Sequence, residues 1–212
     1  MIKNELVDEY FEHLIHARRK DCTDIVDSLL EDKIPVETIY TELFQHSLYK
    51  VGEYWEKNLI SVATEHMATA LTENMMIRLQ PKIFNIERTG KKAVIACVAN
   101  EYHQVGAKMI ADIFEMHGWD GYFVGANTPF DALISFIESH KPDTIGLSLS
   151  IYYNLPELKI TLEKINKKFP ETPVIVGGQA FRWGGIDLVQ QYYNVDYIPS
   201  IKSLKNYINK NN

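Results

Sequence analysis

The chain has 212 residues, 46% of them hydrophobic and 24% charged, with a formal net charge of −6. That length and composition fit a globular protein of one large or two small domains and exclude a disordered or collagen-like chain. No apolar run reaches the roughly 20 residues that span a bilayer, two cysteines make no disulfide framework, and the acidic balance argues against nucleic acid, whose phosphates require clustered Lys and Arg.

The opening segment, MIKNELVDEYFEHL, breaks its apolar pattern with acids and does not read as a secretory signal. A reducing cytoplasm is the expected setting. Leu6, Tyr10, Phe11, Leu14 and Ile15 recur at helical spacing, and Ile25, Leu29 and Leu30 repeat the pattern. The basic run Arg18-Arg19-Lys20 is followed at once by Asp21 and Asp24 and reads as a solvated face. Pro35 opens a third helix over 36–50 with Ile39, Leu43 and Leu48 on its buried stripe. Ser61 is a plausible N-cap for a fourth helix over 61–80, with Glu65 and His66 in its early turns. Four helices with short links predict an up-down bundle over 1–88.

From 89 to 212 the period changes. Strands are predicted at 92–98, 121–124, 144–150, 173–176 and 195–198, with helices at 105–117, 130–140, 155–169, 186–192 and 203–209 between and after them. The alternation predicts an α/β fold, a flavodoxin-like (Rossmann-like) parallel sheet of five strands. In such a sheet ligands lie beyond the carboxyl ends of the strands, so the residues following each strand carry the chemistry.

After the first strand comes Ala99-Asn-Glu-Tyr-His-Gln-Val-Gly106. His103 on this loop can offer one ring nitrogen to a metal while Glu101 accepts from the other, fixing the tautomer. Gly106 removes a side chain where a planar ligand would press on the helix. Read alone, His103 would be an ordinary loop histidine. The third strand ends in Gly146-Leu-Ser-Leu-Ser150, with two hydroxyls at alternate positions that face the same way. The fourth ends in Val176-Gly-Gly-Gln179, where paired glycines let backbone approach a flat group. Singly, buried serines bond backbone and Gly-Gly makes turns.

Together, Glu-x-His-x-x-Gly, Ser-x-Ser and Gly-Gly in this order resemble the cobalamin-binding domain family, whose hallmark is Asp-x-His-x-x-Gly, Ser-x-Leu and Gly-Gly. The resemblance runs from Lys91 to Asn209. It implies that His103 displaces the cofactor's own benzimidazole and binds cobalt from below. It also implies that the displaced tail runs in a slot bordered by Ser148, Ser150, Gly177 and Gly178. Two positions depart from the pattern: Glu101 stands for the usual Asp, and Ser150 for the usual Leu.

Many members of that family carry a four-helix cap, which residues 1–88 would supply. Within it Val51-Gly-Glu-Tyr-Trp55 precedes Glu65-His66-Met67 by nine residues. This Trp-x9-Glu-His pattern resembles the cobalamin photoreceptor regulators, in which the Trp packs on the adenosyl group and the Glu and His line the same chamber. An indole stacks on adenine, and carboxylate and imidazole bond ribose or base edges. Alone, Trp55 and His66 would each read as core residues of the bundle. The regulators add a DNA-binding module before the cap, whereas this sequence starts in the cap, so no direct DNA binding is expected. In some of them a His follows the Trp and takes the cobalt after photolysis; here that residue is Glu56.

Other chemistries lack their signatures. The first strand is not followed by G-x-G-x-x-G, a receiver's phosphoacceptor Asp is missing after strand three, and neither G-x-S-x-G nor clustered zinc ligands occur. The segment Arg182-Trp183-Gly-Gly185 after the fourth strand either borders the tail slot or forms a surface loop. The resemblance thus implies an adenosylcobalamin-dependent light or cofactor sensor acting through a protein partner or a homo-oligomer. The alternative is a corrinoid protein that carries a methyl group between methyltransferase subunits, on methylcobalamin. Neither makes the chain a complete enzyme on its own.

Overall fold

The computed structural model describes residues 1–84 and 86–212, in two compact units, Met1–Asn85 and Ile86–Asn212. The first unit is all helical: α1 (Asn4–Ile15), α2 (Arg19–Glu31), α3 (Val36–Thr38), α4 (His46–Glu56) and α5 (Val62–Ile83). A π-helical stretch, Ile39–Gln45, joins α3 to α4, so that residues 36–56 run as one long third helix. It passes through Gly52, although an interior glycine costs about 1 kcal/mol relative to alanine. Packing outweighs that cost. Val51 is buried, and Tyr54 meets Phe11 of α1 edge-on with ring centroids 4.8 Å apart.

Tyr10, Phe11, Leu14, Ile39, Leu43, Phe44 and Leu79 are fully buried at the centre of this unit. Tyr10 also tilts against Phe44 at 5.8 Å. Large apolar side chains of this kind each contribute about 1.5–3 kcal/mol when buried, which explains how a bundle of short helices holds together.

The second unit alternates β1 (Lys92–Cys97), α6 (Val105–Glu115), β2 (Asp120–Gly125), α7 (Phe130–His140), β3 (Thr144–Ser148), α8 (Leu155–Lys168), β4 (Val174–Gly177), α9 (Ile186–Val189), β5 (Val195–Tyr197) and α10 (Ile201–Asn211). All pairings are parallel, and the strand order is β2-β1-β3-β4-β5. This is the flavodoxin-like order, and its switch point falls between β1 and β3. Val94, Ala96, Ile145, Leu147, Val174 and Val176 feed a core shared with Leu133, Leu158 and Leu162 of the covering helices.

Several ends differ from the sequence expectation, each for a local reason. β3 stops at Ser148 rather than 150: Leu149 N–H still donates to Gly177 O, but the N–H groups of Ser150 and Ile151 turn to a side chain of the β1 loop. α9 ends at Val189, and the following residues tighten into i→i+3 bonds, Gln191 to Leu188 and Tyr192 to Val189. α10 begins at Ile201 because Ser200 caps it, its Oγ accepting from the Ser203 N–H at 3.2 Å. Among the described residues no helix is long and apolar enough to cross a membrane.

Candidate functional site

The loop after β1 meets the sheet's switch point with a buried acid at its centre. Glu101 is fully buried, and its two carboxylate oxygens divide their work. Oε1 accepts from the backbone N–H of His103 at 3.0 Å and from the His103 ring Nδ1 at 2.7 Å. Oε2 accepts from the N–H groups of Ser150 at 2.9 Å and Ile151 at 2.8 Å. Burial pushes the carboxyl upward, but the bonds from the His103 ring and from the backbone of His103, Ile151 and Ser150 outweigh it and hold the group at about 2. An ionised carboxylate only accepts, so the hydrogen sits on Nδ1. In a neutral ring the lone pair is then on Nε2, on a side chain half exposed to solvent.

The longer arm of glutamate accounts for the second pair of bonds. One oxygen reaches the histidine of its own loop while the other reaches across to the start of the β3–α8 connection. That connection is therefore fixed by a side chain of a neighbouring loop, and Ser150 joins the site through its backbone N–H. Ser148, the last residue of β3, lies in register with Cys97 and Gly177.

Gly106 is exposed in the first turn of α6, and a Cβ built on it would meet nothing within 4 Å. Gly177 and Gly178 are different. A Cβ at Gly178, whose φ is +118°, would lie 2.1 Å from the Leu149 carbonyl oxygen, and one at Gly177 would lie 3.0 Å from that of Ile198. The approach these two glycines permit is to the chain's own backbone, where Leu149 N–H donates to Gly177 O at 2.9 Å.

Beneath the loop, the Cys97 thiol donates to the His103 carbonyl at 3.8 Å. Burial, with the negative Glu101 adding to it, pushes this thiol up to about 12. Sequence reasoning missed the asparagines that hold the loop. Asn127 after β2 accepts from the Asn100 N–H at 3.0 Å, and Asn154 Nδ2 donates to Asn100 O at 3.1 Å. The available signal was Asn in loop positions that call for a left-handed backbone; both Asn100 and Asn127 have positive φ.

In the helical unit, Trp55 and the Glu65–His66 pair stand on either side of one corner. Lys57, Asn58 and Leu59 close α4 in a Schellman turn, with Asn58 left-handed at φ 56°, Asn58 N–H donating to Trp55 O and Leu59 N–H to Tyr54 O. Ser61 then caps α5 by accepting from Thr64 N–H at 3.1 Å. Because Tyr54 is spent on Phe11, the next residue is turned about 100° round the helix; Trp55 is 46% exposed and is not a core residue. Neither is His66, which is exposed and lies 3.4 Å from the Glu65 carboxylate, itself bonded to Thr69 at 3.1 Å.

Among the described residues no three His, Cys, Asp or Glu side chains group as a metal site. A single oriented imidazole suits a metal whose equatorial positions come from a macrocycle, and the open side of Gly106 leaves room for a flat one. The residues present thus fit a corrinoid. Two family models, both described as B12 binding domain, match residues 91–198 and 6–80. The chain belongs to the B12-binding domain family. It is a cobalamin-binding protein.

Among its relatives in this family, the HTH-type transcriptional repressor CarH of Myxococcus xanthus is 27% identical over 162 residues, 76% of this chain and 53% of that protein. Methionine synthase of Mycobacterium leprae (strain TN) is 20% identical over 188 residues, 85% of this chain and 16% of that protein. The chain thus spans about half of CarH and a small part of methionine synthase. The monomethylamine corrinoid protein of Methanosarcina barkeri shares the fold, with a TM-score of 0.82 at 13% identity, covering 99% of this chain and 100% of that one.

Proposed function

We propose that this B12-binding protein holds cobalamin base-off, with His103 Nε2 as the lower cobalt ligand, and that the helical unit selects the upper ligand through Trp55, Glu65 and His66. The observation that carries the first part is the 2.7 Å contact between His103 Nδ1 and the buried Glu101 carboxylate. It fixes the tautomer and strengthens the imidazole as a donor. Ser148, Ser150, Gly177 and Gly178 border the path of the nucleotide tail. When bound, cobalamin supplies a reactive cobalt–carbon bond; the chain's residues ligate, orient and exclude water.

The favoured cargo is adenosylcobalamin and the favoured role a light or cofactor sensor in the cytoplasm, signalling through a protein partner or its own oligomerisation. The exposed indole at a hydrogen-bonded corner and the 27% identity to CarH support this reading. Reconstitution with adenosyl- and methylcobalamin tests it. Tighter binding of the adenosyl form, lost in Trp55→Ala, and a change in oligomeric state after green light are expected; equal affinities with no light response refute the sensor.

The likeness to methionine synthase supports a second reading, a corrinoid protein that carries a methyl group on methylcobalamin between methyltransferase subunits. Equal affinities together with methyl transfer to an added methyltransferase would favour it. In either reading His103→Ala alters the axial-ligation spectrum. An unchanged spectrum removes His103 from the cobalt.

A further inference from the structure

His103 is oriented by Glu101, but Glu101 itself follows a left-handed turn of backbone. Asn100, one residue earlier, is left-handed at φ 62°, a region that asparagine tolerates better than other residues with a Cβ but that its surroundings still have to favour. That support comes from the neighbouring β2–α7 loop, through one residue. Asn127 Oδ1 accepts from Asn100 N–H at 3.0 Å, its own backbone N–H donates to Glu101 O at 3.1 Å, and its Nδ2 donates to the Tyr102 hydroxyl at 3.1 Å. Three consecutive residues ahead of the histidine are thus held by Asn127, which is itself left-handed at φ 49°. Asn154 secures the other flank by donating to Asn100 O at 3.1 Å.

We infer that Asn127 is a positioning residue for the cobalt ligand: by splinting residues 100–102 it sets the direction in which Glu101 and His103 leave the sheet. The inference rests on the reading of His103 as lower ligand. Its physical basis is leverage. A modest rotation at Asn100 or Glu101 swings both the imidazole and the carboxylate that aims it, and metal ligands tolerate errors of only about 0.5 Å. Packing alone does not fix this segment, because Asn100, Tyr102 and His103 are all exposed.

Two variants separate backbone from side chain. Asn127→Gly keeps access to the left-handed region and removes both side-chain bonds; Asn127→Asp keeps an oxygen for the Asn100 N–H. In the cobalamin-free protein, amide exchange at Asn100 is expected to speed up by about tenfold in Asn127→Gly, the scale set by loss of a hydrogen bond of this kind, and to return toward wild type in Asn127→Asp.

In the protein loaded with cob(II)alamin and carrying isotopically labelled histidine, electron paramagnetic resonance should report a histidine nitrogen on cobalt in wild type. That coupling should be partly lost in Asn127→Gly and rescued in Asn127→Asp. Tyr102→Phe, which removes one partner at an exposed position, should give a smaller loss in the same direction and serves if the glycine variant does not fold. Wild-type exchange and coupling in both Asn127→Gly and Tyr102→Phe would overturn the role. A wild type with no histidine coupling would overturn the ligand reading, and this role with it, an outcome distinct from the first.

Discussion

Glu101 concentrates the chemistry of the second unit in one side chain, and its value of about 2 against an ordinary 4.5 makes its contribution depend on pH. The folded-state value lies below the unfolded one. The stability it confers is therefore complete above pH 4.5 and drains away as pH falls toward 2. The amount is on the order of 3 kcal/mol, and Glu101→Gln, which does not titrate, should lack this dependence. Melting curves of the two proteins across that window should converge at the acid end.

The glycines make an opposed pair of predictions. Gly178→Ala would drive a Cβ against the Leu149 backbone at positive φ and should cost about 3 kcal/mol or more in chemical denaturation. Gly106→Ala meets nothing within 4 Å. It should leave the cobalamin-free protein as stable or up to about 1 kcal/mol more so, yet weaken cobalamin binding in a spectroscopic titration. Of the site, the pair Glu101–His103 was legible only together with Ser-x-Ser and Gly-Gly after the later strands, because a carboxylate two residues before a loop histidine is by itself ordinary. The reach of Glu101 to Ser150 and Ile151 was not, because it depends on which loop follows which strand in space.

At the scale of elements, apolar periodicity located the long helices and the five strands but not the short 3₁₀ turns at Tyr152–Asn154 and Gln179–Trp183. Ends were less legible. The third helix outlasted its expected stop because Tyr54 packs on Phe11, a contact 43 positions apart in the chain. Nothing in the local sequence announced the π-helical stretch, within which the Thr41 carbonyl also accepts from His46 Nδ1 at 2.7 Å. The corner between α4 and α5 was half legible: Ser61 was an evident cap, while the left-handed Asn58 was not. Ser61→Ala should cost about 1 kcal/mol in stability, measured by denaturant unfolding. If the corner also carries upper-ligand selection, the same variant should narrow the preference between adenosyl- and methylcobalamin.

For the molecule as a whole, the connections leaving the parallel neighbours β1 and β3 run toward opposite edges of the sheet, and the Glu101 loop sits where they part. The two units hold three tryptophans of unequal environment: Trp119 is 1% exposed in the second unit, whereas Trp55 and Trp183 are largely open. Buried Trp119 therefore reports the α/β unit. Cobalamin at a hundredfold excess over its dissociation constant should stabilise the unit that ligates it by about 2.7 kcal/mol. The Trp119 unfolding transition should move accordingly, and much less in His103→Ala.

Cys97 lies directly under the histidine loop with its thiol held protonated up to about 12. The thiolate is the reactive form of cysteine, and burial with the negative Glu101 beside it disfavours that form here. Burial and the adjacent carboxylate together make sulfur a spectator. The buried acid that accepts from the His103 ring thus also holds the neighbouring sulfur in its unreactive form.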